Sequence, residues 1–129
     1  MKPKFRVWDK LTNTMRWVKE IEFGSKGARI IRLSNIEPNC YDNNKRWHSS
    51  VILMQSTDLK DACKTEIYEK DIVRNSYGDL FLVEWLNGAF VLTEHYNGGC
   101  DQYYIYNSSN LEVVGNEYEN LELMEEIAE

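Results

Sequence analysis

After Arg74 this 129-residue sequence contains no lysine or arginine. All 15 basic residues lie at or before that position, so residues 1–74 stand at +5 against ten acids. Residues 75–129 carry 11 acids and stand at −11. A sequence pI near 5.0 argues against nucleic-acid binding by the chain as a whole. Long apolar runs are missing as well. Nothing approaches the roughly 20 apolar residues that a membrane-spanning helix requires, so no membrane association is expected. The opening Met1-Lys2-Pro3-Lys4-Phe5 has basic residues with no apolar run behind them, which does not read as a signal peptide. Cysteine is scarce: Cys40, Cys63 and Cys100 are odd in number and widely spaced. That pattern fits reduced thiols in a cytoplasm better than a disulfide framework. Paired Cys-x-x-Cys spacing, P-loop spacing, internal repeats and low-complexity linkers are all absent.

What is present reads as short strands joined by close turns. Phe5–Trp8 alternates polar and apolar residues, Asp9 to Thr14 supplies turn chemistry, and Met15–Ile21 returns as the second arm of a hairpin. Gly24-Ser25-Lys26-Gly27 turns the chain into a third strand, Ala28–Leu33. The polar stretch Asn35–Arg46 is the one plausible boundary, giving possible subdomains 1–46 and 47–129 within a single domain of 1–129. A strand is expected over Trp47–Gln55 and a long turn over Ser56–Thr65. Ile72–Arg74, Leu80–Trp85 and Phe90–Glu94 follow, the last two joined by Asn87-Gly88, a strong hairpin signal because both residues tolerate positive φ. Tyr103–Tyr106 and Leu111–Val114 are the final strand candidates, and a short helix is expected after an Asn120 N-cap, with Glu122 in its first turn. The fold class is therefore mainly all-β, as a barrel or sandwich.

Several constellations compete for function. Lys4, Arg6, Trp8, Arg16, Trp17, Arg29 and Arg32 interleave cations with aromatics in the amino-terminal part, which suits phosphate neutralisation and base stacking. Against this, both tryptophans suit a core and the cations a solvated face. Tyr96, Tyr103, Tyr104 and Tyr106 lie in the acidic half and suit a protein interface, since tyrosine is enriched at interface cores. They equally suit strands, which favour aromatics. The charge segregation admits two readings: the halves match within one copy, or a basic face of one copy meets an acidic face of the next.

Other groups point to structure. Glu66, Glu69 and Asp71 flank a turn, where Asp71 is suited to capping backbone N–H groups rather than to acid–base chemistry. His95, Cys100 and Asp101, with His48 and Cys63 elsewhere, lack the spacing of a zinc site. A Cys–His nucleophile pair has no third residue to orient it. Gly24–Gly27 reads as a plain turn, not a phosphate cradle. No cofactor, metal or catalytic residue is expected.

Three blocks carry a resemblance to a known family. They are Leu53–Val73, which contains Glu66-Ile67-Tyr68-Glu69-Lys70-Asp71; Phe5-Arg6-Val7-Trp8-Asp9-Lys10 followed by Met15; and Val113-Val114-Gly115-Asn116-Glu117-Tyr118-Glu119-Asn120. They resemble the signature, opening and closing blocks of the YopX family of bacteriophage and prophage proteins. The resemblance implies a phage origin, a small SH3-like barrel in the carboxy-terminal half with an amino-terminal hairpin subdomain, and no catalytic residues to carry over. The chain departs from the pattern in placing Asp58 after Thr57, Ala62-Cys63-Lys64 in the turn, Lys70 where a glycine is usual, and Leu121 where a proline is common. Loss of backbone freedom at these turns implies an altered turn geometry. Together these observations imply a cytoplasmic phage accessory protein that is non-catalytic and self-associating, and that engages a host or phage protein. A nucleic-acid-binding β protein is the alternative, and an enzyme of unknown type is the third reading.

Overall fold

Asp9 both ends the first strand and reverses the chain. Its carboxylate accepts from the Leu11 N–H at 3.2 Å and the Thr12 hydroxyl at 2.6 Å, while its carbonyl accepts from the Asn13 N–H at 2.8 Å. The result is the expected hairpin of β1, Phe5–Asp9, with β2, Thr14–Gly24, in which Trp8 faces Met15 and Val7 faces Arg16. The computed structural model describes residues 4–34, 42–96 and 98–128, and divides the chain into two units, 1–55 and 56–129.

In the first unit, β3 (Gly27–Leu33) returns along β2, and β4 (Lys45–Trp47) adds to β3. The first half of β5 (Val51–Lys60) pairs with the free side of β1, giving the order β4-β3-β2-β1-β5 with all pairs antiparallel. Alternation sends Val7, Ile31, Leu33 and Val51 to one face, where Val18, Ile21 and Leu53 pack against them. The two units therefore divide inside β5, not in the 35–46 stretch, because β5 completes the amino-terminal sheet. Residues 35–41 of that stretch lie outside the described residues.

A single strand over Trp47–Gln55 is not observed. A helical turn at His48–Ser50 separates β4 from β5. β5 then continues to Lys60, where a turn was expected. Its polar residues are satisfied locally, so a polar run can remain strand: the buried Thr57 hydroxyl donates to the Ile67 carbonyl at 2.7 Å, and Ser56 Oγ accepts from the Asp58 N–H at 2.9 Å.

In the second unit the far half of β5 pairs with β6, Glu66–Tyr68. β7 (Asp71–Arg74), β8 (Leu80–Leu86), β9 (Ala89–Tyr96), β10 (Gly99–Tyr104) and β11 (Glu112–Asn116) form a second antiparallel sheet in the order β10-β9-β8-β7-β11. Asn87 and Gly88 take φ of 50° and 84° in the β8–β9 turn, as their sequence predicts. Ile67, Val73, Phe81, Val83, Leu92 and Leu111 form one core. On the sheet's other face Ile72 and Leu82 meet Ile127 of α1, Leu121–Ala128. The fold is mainly β with one short carboxy-terminal helix. No pairing among the described residues closes the second sheet into a barrel: β11 folds back on β7, which leaves β10 and β11 as edges.

Asp58, Lys64 and Lys70 have φ of 67°, 66° and 68°, the left-handed region that glycine enters without strain. Non-glycine residues thus occupy a conformation suited to glycine. Lys70 gains partial compensation from Glu84 at 3.5 Å and Glu117 at 3.9 Å. Lys64 is exposed, and its N–H caps the Asp61 carbonyl at 3.0 Å, a bond that glycine retains. Lys64→Gly is expected to stabilise the protein by about 0.5–1 kcal/mol, read as a higher urea midpoint. A lower midpoint would show that the strain is not real.

Candidate interaction surface

Three polar side chains of the signature blocks, Asp61, Asp71 and Asn116, accept backbone N–H groups. Asp71, 2% exposed, accepts from the Tyr68 N–H at 2.8 Å and so caps the turn as expected. Asp61 is equally buried in effect: Oδ1 accepts from the Cys63 and Thr65 N–H groups at 2.9 and 2.8 Å, and Oδ2 from Val113 N–H at 2.8 Å. The next residue, Ala62, donates its N–H to the Leu111 carbonyl at 2.8 Å, so the middle block is pinned to the start of β11. Asn116 Oδ1 accepts from Tyr118 and Glu119 N–H at 3.0 and 2.9 Å. Asn120 Oδ1 turns back to the Asn116 N–H at 3.0 Å instead of capping α1. A Cβ at Gly115 would lie 2.5 Å from that oxygen, which explains glycine there. Glu66 and Glu69 are half-buried beside the Asp71 turn.

One cluster had no counterpart in the sequence reading. Arg46 binds Asp9 through Nε and NH2, both at 3.0 Å, and Asp42 through NH1 and NH2, at 3.0 and 2.8 Å. Such paired forks are the strongest geometry available to a guanidinium. Arg16 joins the cluster, reaching Asp42 at 3.4 Å, the Ser34 carbonyl at 3.3 Å and the Asn44 side chain. Burial pushes the Asp9 carboxyl up, but hydrogen bonds from Arg46, Thr12 and Leu11 outweigh it and hold it below its ordinary value. The Arg46 hydrogen bond, then the Asn44 N–H, holds Asp42 far below the carboxylate range. Arg46 itself is held protonated by Asp42 and Asp9. The only local hint was the i,i+4 spacing of Asp42 and Arg46; Asp9 lies 37 residues away from its partner.

This cluster removes Arg16 from any ligand face, since it is 7% exposed. Arg6 is 8% exposed and likewise faces no solvent. Register separates them further: Arg6 pairs with Trp17 and Val7 with Arg16, so Arg16 and Trp17 point to opposite faces of the sheet. Trp8 is half-buried, and Arg32 is ion-paired with Glu20 at 3.2 Å. Lys4, Arg29 and Trp17 are exposed, with the Arg29 guanidinium 5.7 Å from the ring centre of exposed Trp47. The seven amino-terminal candidates do not form one surface.

The tyrosines fall on and around β10, the edge strand whose six residues are all exposed. β9–β10 register pairs Tyr96 with Gly99, Glu94 with Asp101 and Leu92 with Tyr103, so Tyr96, Asp101 and Tyr103 share one face. Tyr103 packs edge-on against Phe81 at 6.1 Å between ring centres. Further along that face Trp85 and Phe90 meet at 4.7 Å, with Trp85 half exposed. Tyr104 points to the other face, and Tyr106, 91% exposed, lies just beyond the strand. The Asp101 charge raises the Tyr96 phenol above its ordinary value, while Tyr103 is raised first by loss of solvent and then by Asp101. The edge is thus aromatic and acidic, with all of β8 to β10 free of lysine and arginine.

The remaining candidates do not converge. Cys100 sits opposite His95, whereas Asp101 points to the other face. Among the described residues no group of three or more His, Cys, Asp or Glu side chains could hold a metal ion. Cys63 and Cys100 are exposed free thiols; Cys40 lies outside the described residues. No helix among the described residues is long and apolar enough to cross a membrane.

A family model described as YopX protein matches residues 4–125. Among solved structures, protein EF1440 from Enterococcus faecalis is similar at 26% identity and a TM-score of 0.65, covering 96% of this chain and 99% of that one. The protein yopX of Bacillus subtilis shares the fold at 19% identity and a TM-score of 0.59, over 95% and 98% of the two chains. No curated protein sequence matches the chain significantly.

Proposed function

The chain belongs to the YopX family, and from that premise we propose that it is a non-catalytic, self-associating interaction module of a phage or prophage, acting on a protein in the bacterial cytoplasm. One observation carries the reading. β10 is a fully exposed sheet edge furnished with Tyr103, Tyr104 and the Asp101 carboxylate and lacking any lysine or arginine. Sheet edges offer unpaired N–H and C=O groups, and tyrosine supplies large contact area at small entropic cost. The signature residues add support, because Asp61, Asp71 and Asn116 accept backbone N–H groups through side-chain oxygens and so serve turn structure.

Sedimentation across a wide concentration range tests this. The expected result is a mass that rises above the 15.2 kDa of one chain; a monomer throughout overturns self-association. A salt titration against labelled DNA and RNA tests the competing class. No binding is expected, and tight binding that falls steeply with salt would return function to the exposed cations of the first unit.

A further inference from the structure

We infer that copies associate head to tail, the acidic β10 edge of one chain docking on the basic β4 edge of another. The inference rests on the self-association proposed above and names its surfaces. The structural boundary sharpens the charge segregation: residues 1–55 carry eleven Lys and Arg against five Asp and Glu, and residues 56–129 carry four against 16. Within the acidic unit, Glu94 and Asp101 sit directly opposite one another on one face. Like charges so placed are destabilising, and neither β9 nor β10 offers a cation to offset them.

The first unit presents the complement. β4 ends the sheet order there, with Lys45 and Trp47 exposed and the Arg29 guanidinium set against the Trp47 ring. Two strand edges, one with Asp101, the facing Glu94 of β9 and tyrosines, the other with Lys45, the Arg29 of neighbouring β3 and a tryptophan, suit strand addition in both hydrogen bonding and charge. Pairing β10 with β10 would instead bring Glu94 and Asp101 against their own copies. Pairing β4 with β4 would oppose cations. The favourable contact is the one between unlike surfaces.

A charge swap in the full chain tests the contact. Glu94→Lys with Asp101→Lys makes one variant, and Arg29→Glu with Lys45→Glu makes the other. Each double change keeps a like-charged pair, and thermal melts establish that each folds. Each variant alone is expected to remain a monomer, whereas an equimolar mixture regains the wild-type mass, because swapped and native contacts then alternate. If the Arg29→Glu, Lys45→Glu variant associates as the wild type does, the head-to-tail contact is wrong while self-association stands. If the wild type is monomeric, both fall. Salt gives a check free of variants: raising it to about 1 M shortens the screening length to roughly 3 Å and is expected to dissociate the wild type. Association indifferent to salt overturns the contact.

Discussion

Arg46→Leu is expected to destabilise the protein by about 3–5 kcal/mol, the usual loss when one partner leaves a buried ionic cluster. The reason is asymmetric. Arg46 makes four charge-assisted hydrogen bonds, and without it the fully buried Asp9 carboxylate keeps its bonds from Leu11 and Thr12 but, among the described residues, only the Arg16 cation, at 3.8 Å. Tryptophan fluorescence during urea unfolding suits the measurement, since Trp8, Trp17 and Trp47 all lie in the first unit. A loss under 1 kcal/mol would show that the cluster hydrates freely. Adding Asp9→Asn should then cost much less than it does in the wild type, because the two side chains act as a pair.

The same cluster sets an acid response. Asp9 and Asp42 are held below their ordinary values when folded, so their contribution is complete above the unfolded carboxylate pKa of about 3.9. It is lost as pH falls through the depressed folded values. Wild type should therefore weaken on acidification below about pH 4, and the gap between it and Arg46→Leu should narrow there. A gap that stays constant with pH would mean that the carboxylates are not held down by Arg46.

Asp61→Ala is the second large effect, expected to cost about 3 kcal/mol, because three N–H groups lose their acceptor at a buried site. Asp61→Asn separates the two roles. An amide oxygen in place of Oδ1 still serves Cys63 and Thr65, but its NH2 then confronts the Val113 N–H, donor against donor. The asparagine variant should lose part of the stability and show faster hydrogen exchange at Val113, with the Cys63 and Thr65 amides protected. Equal exchange at all three sites would refute this division of labour.

The local pattern of the sequence determined much of this protein. Alternation and turn residues placed the β1–β2 hairpin, the Asn87-Gly88 hairpin, β3, β7 and the helix after Asn120, because each depends on neighbours within a few residues. The blocks also marked Asp71 as a turn cap, again a local property. Tertiary structure decided the rest. β5 runs through Ser56 and Thr57 because Ile67 and neighbouring backbone groups satisfy them, which a propensity reading of a polar run cannot reveal. Arg6 and Arg16 read as outward cations until register set Arg16 beside Val7 and burial claimed both. The Arg46 cluster joins residues 37 apart in sequence, and the charge of a side chain does not say which distant partner will neutralise it. Lys64 and Lys70 take a left-handed backbone suited to glycine, which their own residue types do not favour. The edge at β10 likewise exists because β11 pairs with β7, a long-range choice no local pattern encodes.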